Sequence, residues 1–158
     1  MFVFSIDLRL PELTDSRRRK QWREQQENNK NAKNILYPNL PETPLPSSVK
    51  ASQIAGTYQD AGYGEFIFEE RPHPDDASKS ILVATREEFL IAPRCELHHV
   101  SGDYWIMWVM HPPTKSIMDW QPVTVKVGPD GEVSELEVKY QLFYEKTDQG
   151  SVFLKKVK

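Results

Sequence analysis

An acid and a base lie close together in one short segment of this sequence. Glu96 and His98 are separated by a single residue, so on a strand their side chains point to the same face. A carboxylate beside an imidazole orients the ring, which is the arrangement that general acid/base catalysis uses. Tyr104 follows and can add a hydroxyl group. We therefore take Glu96, His98 and Tyr104 as the candidate catalytic residues.

A purely structural role competes with this interpretation. His98 and His99 are adjacent. In the interpretation that we favour, one imidazole is hydrogen-bonded at the edge of the core and the other lies on the surface. If the site is catalytic instead, Asp119 and Tyr140 lie on neighbouring predicted strands and can add polar groups to it.

Metal, cofactor and thiol chemistry have no supporting pattern. The four histidines and the single cysteine, Cys95, show no zinc-ligand spacing. His98 and His99 face opposite sides of a strand and cannot chelate one ion. Cys95 lies beside Arg94 but has no evident partner base, so we expect it to be a small strand residue. We predict neither a metal site nor a cofactor.

Aromatic residues are concentrated in the predicted strands and can line a ligand cavity. The candidates for such a cavity are Tyr58, Tyr63, Phe66, Trp105, Trp108 and Trp120. Residues 104–110 are apolar on both faces, so one face must point into the core and the other must be covered. We favour packing of Leu10, Leu13 and Trp22 on that second face, ahead of a homodimer interface or a bound ligand.

Short β-branched and aromatic segments recur after Ser52 at intervals of about ten residues, which is typical of an antiparallel sandwich or barrel. We predict eight or nine strands, with the clearest hairpin turn at Asp130-Gly131. The predicted strands cover residues 55–59, 64–69, 80–85, 88–92, 96–100, 104–110, 114–118 with 121–127, 133–140 and 152–157. The fold class is mainly β: a small antiparallel up-and-down barrel of about eight strands, preceded by an N-terminal helix and a proline-rich strap.

The first 50 residues differ from the rest. They carry nine basic against six acidic side chains, whereas the remainder carries eleven against seventeen. Good helix formers predict a helix over residues 16–34, and four prolines between positions 38 and 46 predict an extended strap. The basic run at 17–20 fits a solvated helix face better than nucleic-acid binding, because acidic residues dilute its charge. We divide the chain into 1–50, the helix and linker, and 51–158, the barrel domain.

Composition sets the class of protein. The chain has 158 residues, of which 39% are hydrophobic and 27% charged, as expected for one soluble domain. No run of apolar residues is long enough to span a membrane, and the first residues lack the basic start of a secretory signal. We expect a cytoplasmic protein that binds neither membranes nor nucleic acids.

Several segments occur in a recognisable order: residues 35–38, 54–58, 62–64, 97–104 and 127–133, followed by a terminal strand. In this order they resemble the C-terminal region of fungal β-lactamase-like serine hydrolases. In those proteins a charged helical linker leads into a small lipocalin-like β-barrel, and the resemblance implies the same arrangement here from about Leu10 onward. No catalytic residue is carried over, because the hydrolase domain that holds those residues is not in this sequence.

The resemblance implies a function without hydrolysis. A stand-alone barrel of this kind suits an accessory protein of a fungal secondary-metabolite pathway, which binds a hydrophobic intermediate or a partner protein. A second hypothesis is a cofactor-free cyclase or isomerase, whose cavity positions a reactive substrate while Glu96, His98 and a tyrosine move protons. A third is a truncated remnant of a longer hydrolase.

Overall fold

The structure is a computed structural model that describes the backbone of residues 11–142 and 147–157, and the side chains of 15–140 and 150–157. It contains a long helix, a one-turn helix and eight strands. The elements are α1 (Pro11–Leu36), α2 (Ala51–Ile54), β1 (Gly56–Asp60), β2 (Gly64–His73), β3 (Asp76–Thr85), β4 (Arg94–Ser101), β5 (Tyr104–His111), β6 (Ser116–Val127), β7 (Val133–Leu142) and β8 (Thr147–Lys156).

The eight strands form a closed antiparallel barrel in which each strand pairs with its neighbours in sequence. The barrel closes where β1 meets β8, with Tyr58 opposite Lys156. Two tight turns depend on glycine: Gly64 begins β2 with a φ of 75°, and Gly131 follows Asp130 in the β6–β7 turn with a φ of 81°. The predicted up-and-down barrel with an N-terminal helix is confirmed.

One predicted strand is wrong. Residues 88–92 form a loop between β3 and β4, because Thr85 at the end of β3 already pairs with Arg94 at the start of β4. The two strands therefore leave no place in the sheet for a further strand. The apolar side chains that suggested a strand, Phe89, Leu90 and Ile91, are exposed instead.

Two other parts of the sheet are continuous or tightly connected. Residues 114–118 with 121–127, which we predicted together, belong largely to one strand, β6. The connection between β2 and β3 is a tight turn, because β2 continues to His73 and β3 begins at Asp76.

Every strand contributes side chains to a hydrophobic cluster inside the barrel, here called the inner cluster. It consists of Val49, Ile54, Tyr58, Phe66, Phe68, Leu82, Ala84, Cys95, Leu97, Trp105, Met107, Val123, Val125, Val133, Leu136, Val138 and Leu154. The alternation of each strand sends these residues inward. Ile54 of α2 closes one end, where its carbonyl oxygen accepts a hydrogen bond of 2.5 Å from the Tyr58 hydroxyl.

A second cluster, the outer cluster, lies between α1 and the outer face of β4, β5 and β6. Its buried members are Ala32, Val100, Ile106 and Trp120, with Leu36, Tyr37, Leu40, Trp108 and Ile117 packed around them. The buried Asn29 accepts a hydrogen bond of 2.9 Å from the Trp120 indole. The outer face of β5 is therefore covered by the chain itself, as we favoured.

The residues that provide this cover differ from those predicted. Trp22 is 65% exposed, and the buried residues among the described side chains of the helix are Asn29 and Ala32, in its C-terminal half. Leu10 and the side chain of Leu13 lie outside the described residues.

The proline-rich strap is bonded to the barrel rather than free. Asp103 in the β4–β5 turn accepts hydrogen bonds from the backbone N–H and the hydroxyl of Ser48, at 3.0 and 2.7 Å. Leu45 exchanges two further bonds with that turn, accepting from Gly102 at 2.9 Å and donating to the Ser101 hydroxyl at 3.0 Å. These bonds hold the strap along the outside of the barrel.

Candidate functional site

A cleft of about 630 Å³ opens on the outer wall of the barrel, where the end of α1, the strap and α2 pass over strands β2, β3 and β4. This volume is within the range of small-molecule sites. The charged residues and histidines that line it are Lys33, Lys50, Glu70, His73, Lys79, His98 and His99. The apolar part of the cleft wall includes Pro44, Ile81 and Val100. We call this feature the outer cleft.

Glu96 and His98 form the pair that their spacing indicates. Nε2 of His98 lies 2.9 Å from Oε2 of Glu96, and Nε of Arg94 lies 2.7 Å from Oε1 of the same carboxylate. The hydrogen bond from His98 holds the pKa of Glu96 below its ordinary value, with help from Arg94 and against the opposing effect of burial. Glu96 is therefore ionised at neutral pH, and its bond to Nε2 fixes the His98 ring.

Two more histidines are among the residues of the same cleft, and each ring is held by a hydrogen bond. The ring of His73 meets that of His98 edge-on, with centroids 5.1 Å apart. Nδ1 of His73 accepts a hydrogen bond of 3.1 Å from the Asp75 backbone. Nε2 of His99 lies 2.8 Å from the Gly102 carbonyl oxygen. Three of the four histidines of the chain are thus brought to one place.

The outer cleft is electropositive within an acidic protein. Its lining carries three lysines against one glutamate, whereas the whole chain has a formal charge of −3. Lys79 is paired with Asp76 at 3.0 Å. For Lys33 and Lys50 the described part of the chain offers no ion-pair partner. Two cations are therefore free to meet a ligand.

The other sequence-predicted residues do not join this cleft. Tyr104 is exposed on β5, where its ring contacts Tyr37 at a centroid distance of 5.7 Å. Asp119 accepts a hydrogen bond of 2.7 Å from Gln121, and burial raises its pKa. Tyr140 stacks on Tyr63 at 4.7 Å.

The six aromatic cavity candidates are divided among three places, so they do not line one cavity. Tyr58, Phe66 and Trp105 are packed in the inner cluster. Tyr63 lies partly exposed in the β1–β2 turn. Trp108 and Trp120 belong to the outer cluster beneath α1.

Cys95 is buried in the inner cluster, and burial raises its pKa to about 11. Its thiol is therefore protonated and shielded at neutral pH. Among the described residues, no three histidine, cysteine, aspartate or glutamate side chains are placed to hold one metal ion. In the same part of the chain, no helix is both long enough and apolar enough to cross a bilayer.

The site and fold together define a closed eight-stranded antiparallel barrel with a histidine- and lysine-lined cleft on its outer wall. In comparisons with known proteins, no family model, curated protein or solved structure matches this chain.

Most of the cleft residues were missed by sequence reasoning. His73, Lys33, Lys50 and Lys79 come from β2, α1, the strap and β3, and no short motif joins them. Only the spacing of Glu96 and His98 gave a local signal. The remainder depends on how the strap crosses the barrel.

Proposed function

We propose that this protein is a small-molecule-binding barrel whose outer cleft holds an anionic ligand with an apolar body. The observation that carries the proposal is the cleft itself, a volume of about 630 Å³ lined by three lysines and three histidines. A role as a cytoplasmic accessory protein of a fungal secondary-metabolite pathway is part of the proposal, and rests on the resemblance given by the sequence.

The charge of the lining favours an anion. Lys33 and Lys50 approach the cleft from the helix and from the strap, so a carboxylate between them meets cations from two sides. Glu70 is the one carboxylate among the described lining residues. Because both lysines are exposed, each contributes modestly, and binding should weaken as salt screens the charges.

The apolar part of the ligand has its own wall. Ile81 of β3, Val100 of β4 and Pro44 of the strap line the cleft beside the charged groups. The barrel interior, by contrast, is occupied by the side chains of the inner cluster. The outer cleft is thus better suited than the interior to a hydrophobic intermediate, provided that the intermediate carries an acidic group.

Calorimetry with a matched pair of probes tests the proposal. 2-Naphthoate carries an aromatic body and a carboxylate, and 2-naphthalenemethanol has the same body without the charge. We expect the carboxylate to bind about fivefold or more tightly than the alcohol, and to lose affinity when the salt concentration is raised. Equal binding of the two probes, or no binding of either, would overturn the proposal.

A double variant locates the binding. Lys33→Gln with Lys50→Gln should weaken naphthoate binding by about fivefold or more, because both unpaired cations of the cleft are lost. The control is Lys20→Gln with Lys139→Gln, which changes the net charge equally at exposed positions that do not line the cleft. An equal loss in both double variants would show a general charge effect and refute the site.

A further inference from the structure

We propose that His98 and His73 act together on a carbonyl compound held in the outer cleft, with His98 as the general base and His73 as a hydrogen-bond donor to the carbonyl oxygen. The substrate class is an anionic ketone with a C–H bond next to its carbonyl group. This inference rests on the proposed function, because the cleft must first bind the anion.

The hydrogen bonds of the two rings give them complementary roles. Nε2 of His98 donates to the ionised Glu96, so Nδ1 is the nitrogen that carries the lone pair. Nδ1 of His73 accepts the Asp75 N–H, so Nε2 carries its proton. An acceptor and a donor are therefore fixed on two rings whose centroids are 5.1 Å apart in one cleft.

Glu96 is a positioning residue in this scheme. It is 8% exposed, and both of its carboxylate oxygens are engaged, one by Arg94 and the other by His98. It is not among the residues that line the cleft. Its part is to hold the His98 ring and its tautomer, as the carboxylate of a catalytic triad does.

The step balances without an oxidant or a cofactor. Nδ1 of His98 takes the proton from the carbon next to the carbonyl, and the electron pair of that C–H bond forms the C=C bond of an enolate. The former carbonyl oxygen takes the negative charge and accepts a hydrogen bond from Nε2–H of His73. Return of a proton from His98 to carbon completes an exchange, an inversion or a shift of a double bond.

Deuterium exchange measures this step directly. Phenylpyruvate and 4-oxo-4-phenylbutyrate both carry a carboxylate, an aromatic ring and an enolisable C–H, but differ in the distance from the carboxylate to the carbonyl. In deuterated buffer, proton NMR follows the loss of the C–H signal. We expect the wild-type protein to accelerate exchange of at least one probe about 100-fold over the His98→Gln variant.

Two further variants separate the roles. His73→Leu, which removes the hydrogen-bond donor, should slow exchange at a saturating concentration of the probe. Glu96→Gln should lower the exchange rate at a saturating concentration of the probe without changing the affinity of the protein for the probe. A substitution that merely unfolded the cleft would weaken binding as well. The control is His111→Gln, because His111 is a partly exposed histidine that is bonded to Thr114 and does not line the cleft.

The outcomes distinguish this inference from the function on which it rests. If the probes bind with lysine-dependent affinity but exchange no faster than with His98→Gln, the base assignment is wrong and the binding function stands. If neither probe binds, both proposals fall. If His111→Gln slows exchange as much as His98→Gln, the exchange does not occur in the outer cleft and the inference is refuted.

Discussion

Asp103 accepts two hydrogen bonds from Ser48, one from its backbone N–H at 3.0 Å and one from its hydroxyl at 2.7 Å. The two residues are 55 positions apart in the chain, and they join the strap to the β4–β5 turn. Because Pro44 and Lys50 of the strap form one wall of the outer cleft, this contact helps to determine the shape of the cleft.

Loss of that contact should open the cleft. Asp103→Ala removes both bonds, and we expect a loss of about 1 kcal/mol in the free energy of unfolding together with weaker naphthoate binding. Urea unfolding and calorimetry measure the two effects. Asp130→Ala is the control, because Asp130 also bonds within a turn, to Glu132, but does not touch the strap. If Asp103→Ala leaves the naphthoate affinity unchanged, the strap does not shape the site.

The helix should depend on one buried amide. Asn29→Ala removes the acceptor that bonds the Trp120 indole at 2.9 Å, and we expect a loss of about 1 to 3 kcal/mol in the free energy of unfolding. Asn28→Ala, at an exposed position beside it, should change stability by less than about 0.5 kcal/mol. Equal stability of the two variants would contradict the docking of α1 through this bond.

The barrel end closed by α2 gives a third prediction. Tyr58→Phe removes the hydroxyl that bonds the Ile54 carbonyl oxygen at 2.5 Å inside the core, which should cost about 1 to 3 kcal/mol. Tyr104→Phe is the matched control, because Tyr104 is 52% exposed and should tolerate the loss of its hydroxyl. Urea unfolding of both variants checks the difference. A Tyr58→Phe protein as stable as the wild type would contradict the importance of this bond.

Acid should weaken the wild-type protein through Glu96. The pKa of Glu96 is lowered from its ordinary value of 4.5, chiefly by the hydrogen bond from His98. Glu96 therefore binds a proton more readily in the unfolded chain than in the folded protein. Its contribution to the free energy of unfolding is complete above the ordinary pKa and is lost as the pH falls through the lowered pKa of the folded protein. The stability gap between wild type and Glu96→Gln should shrink between about pH 5 and pH 3. A gap that is constant in urea unfolding across this range would refute the coupling.

The barrel could be predicted from the sequence because its evidence is local. Alternating apolar residues and turns such as Asp130-Gly131 specify strands one at a time, and the up-and-down order follows from short connections. Residues 88–92 show the limit of this reasoning: Phe89, Leu90 and Ile91 have strand propensity, but the direct pairing of β3 with β4 leaves them in a loop.

The candidate site could be predicted only in part. The spacing of Glu96 and His98 places both side chains on one face of β4, and they lie 2.9 Å apart. Nothing local shows that His73 joins them from β2, or that Lys33 and Lys50 approach from the helix and the strap. Those positions depend on contacts between distant residues, such as that of Asp103 with Ser48.

Histidine side-chain NMR during a titration with 2-naphthoate tests the central claim most directly. The chain has four histidines, three of which line the outer cleft while His111 does not. We predict that naphthoate shifts the signals of His73, His98 and His99, leaves that of His111 in place, and acts more strongly than 2-naphthalenemethanol. Binding that leaves the three cleft histidines unshifted, or no binding at all, would contradict the claim that the outer cleft is the ligand site.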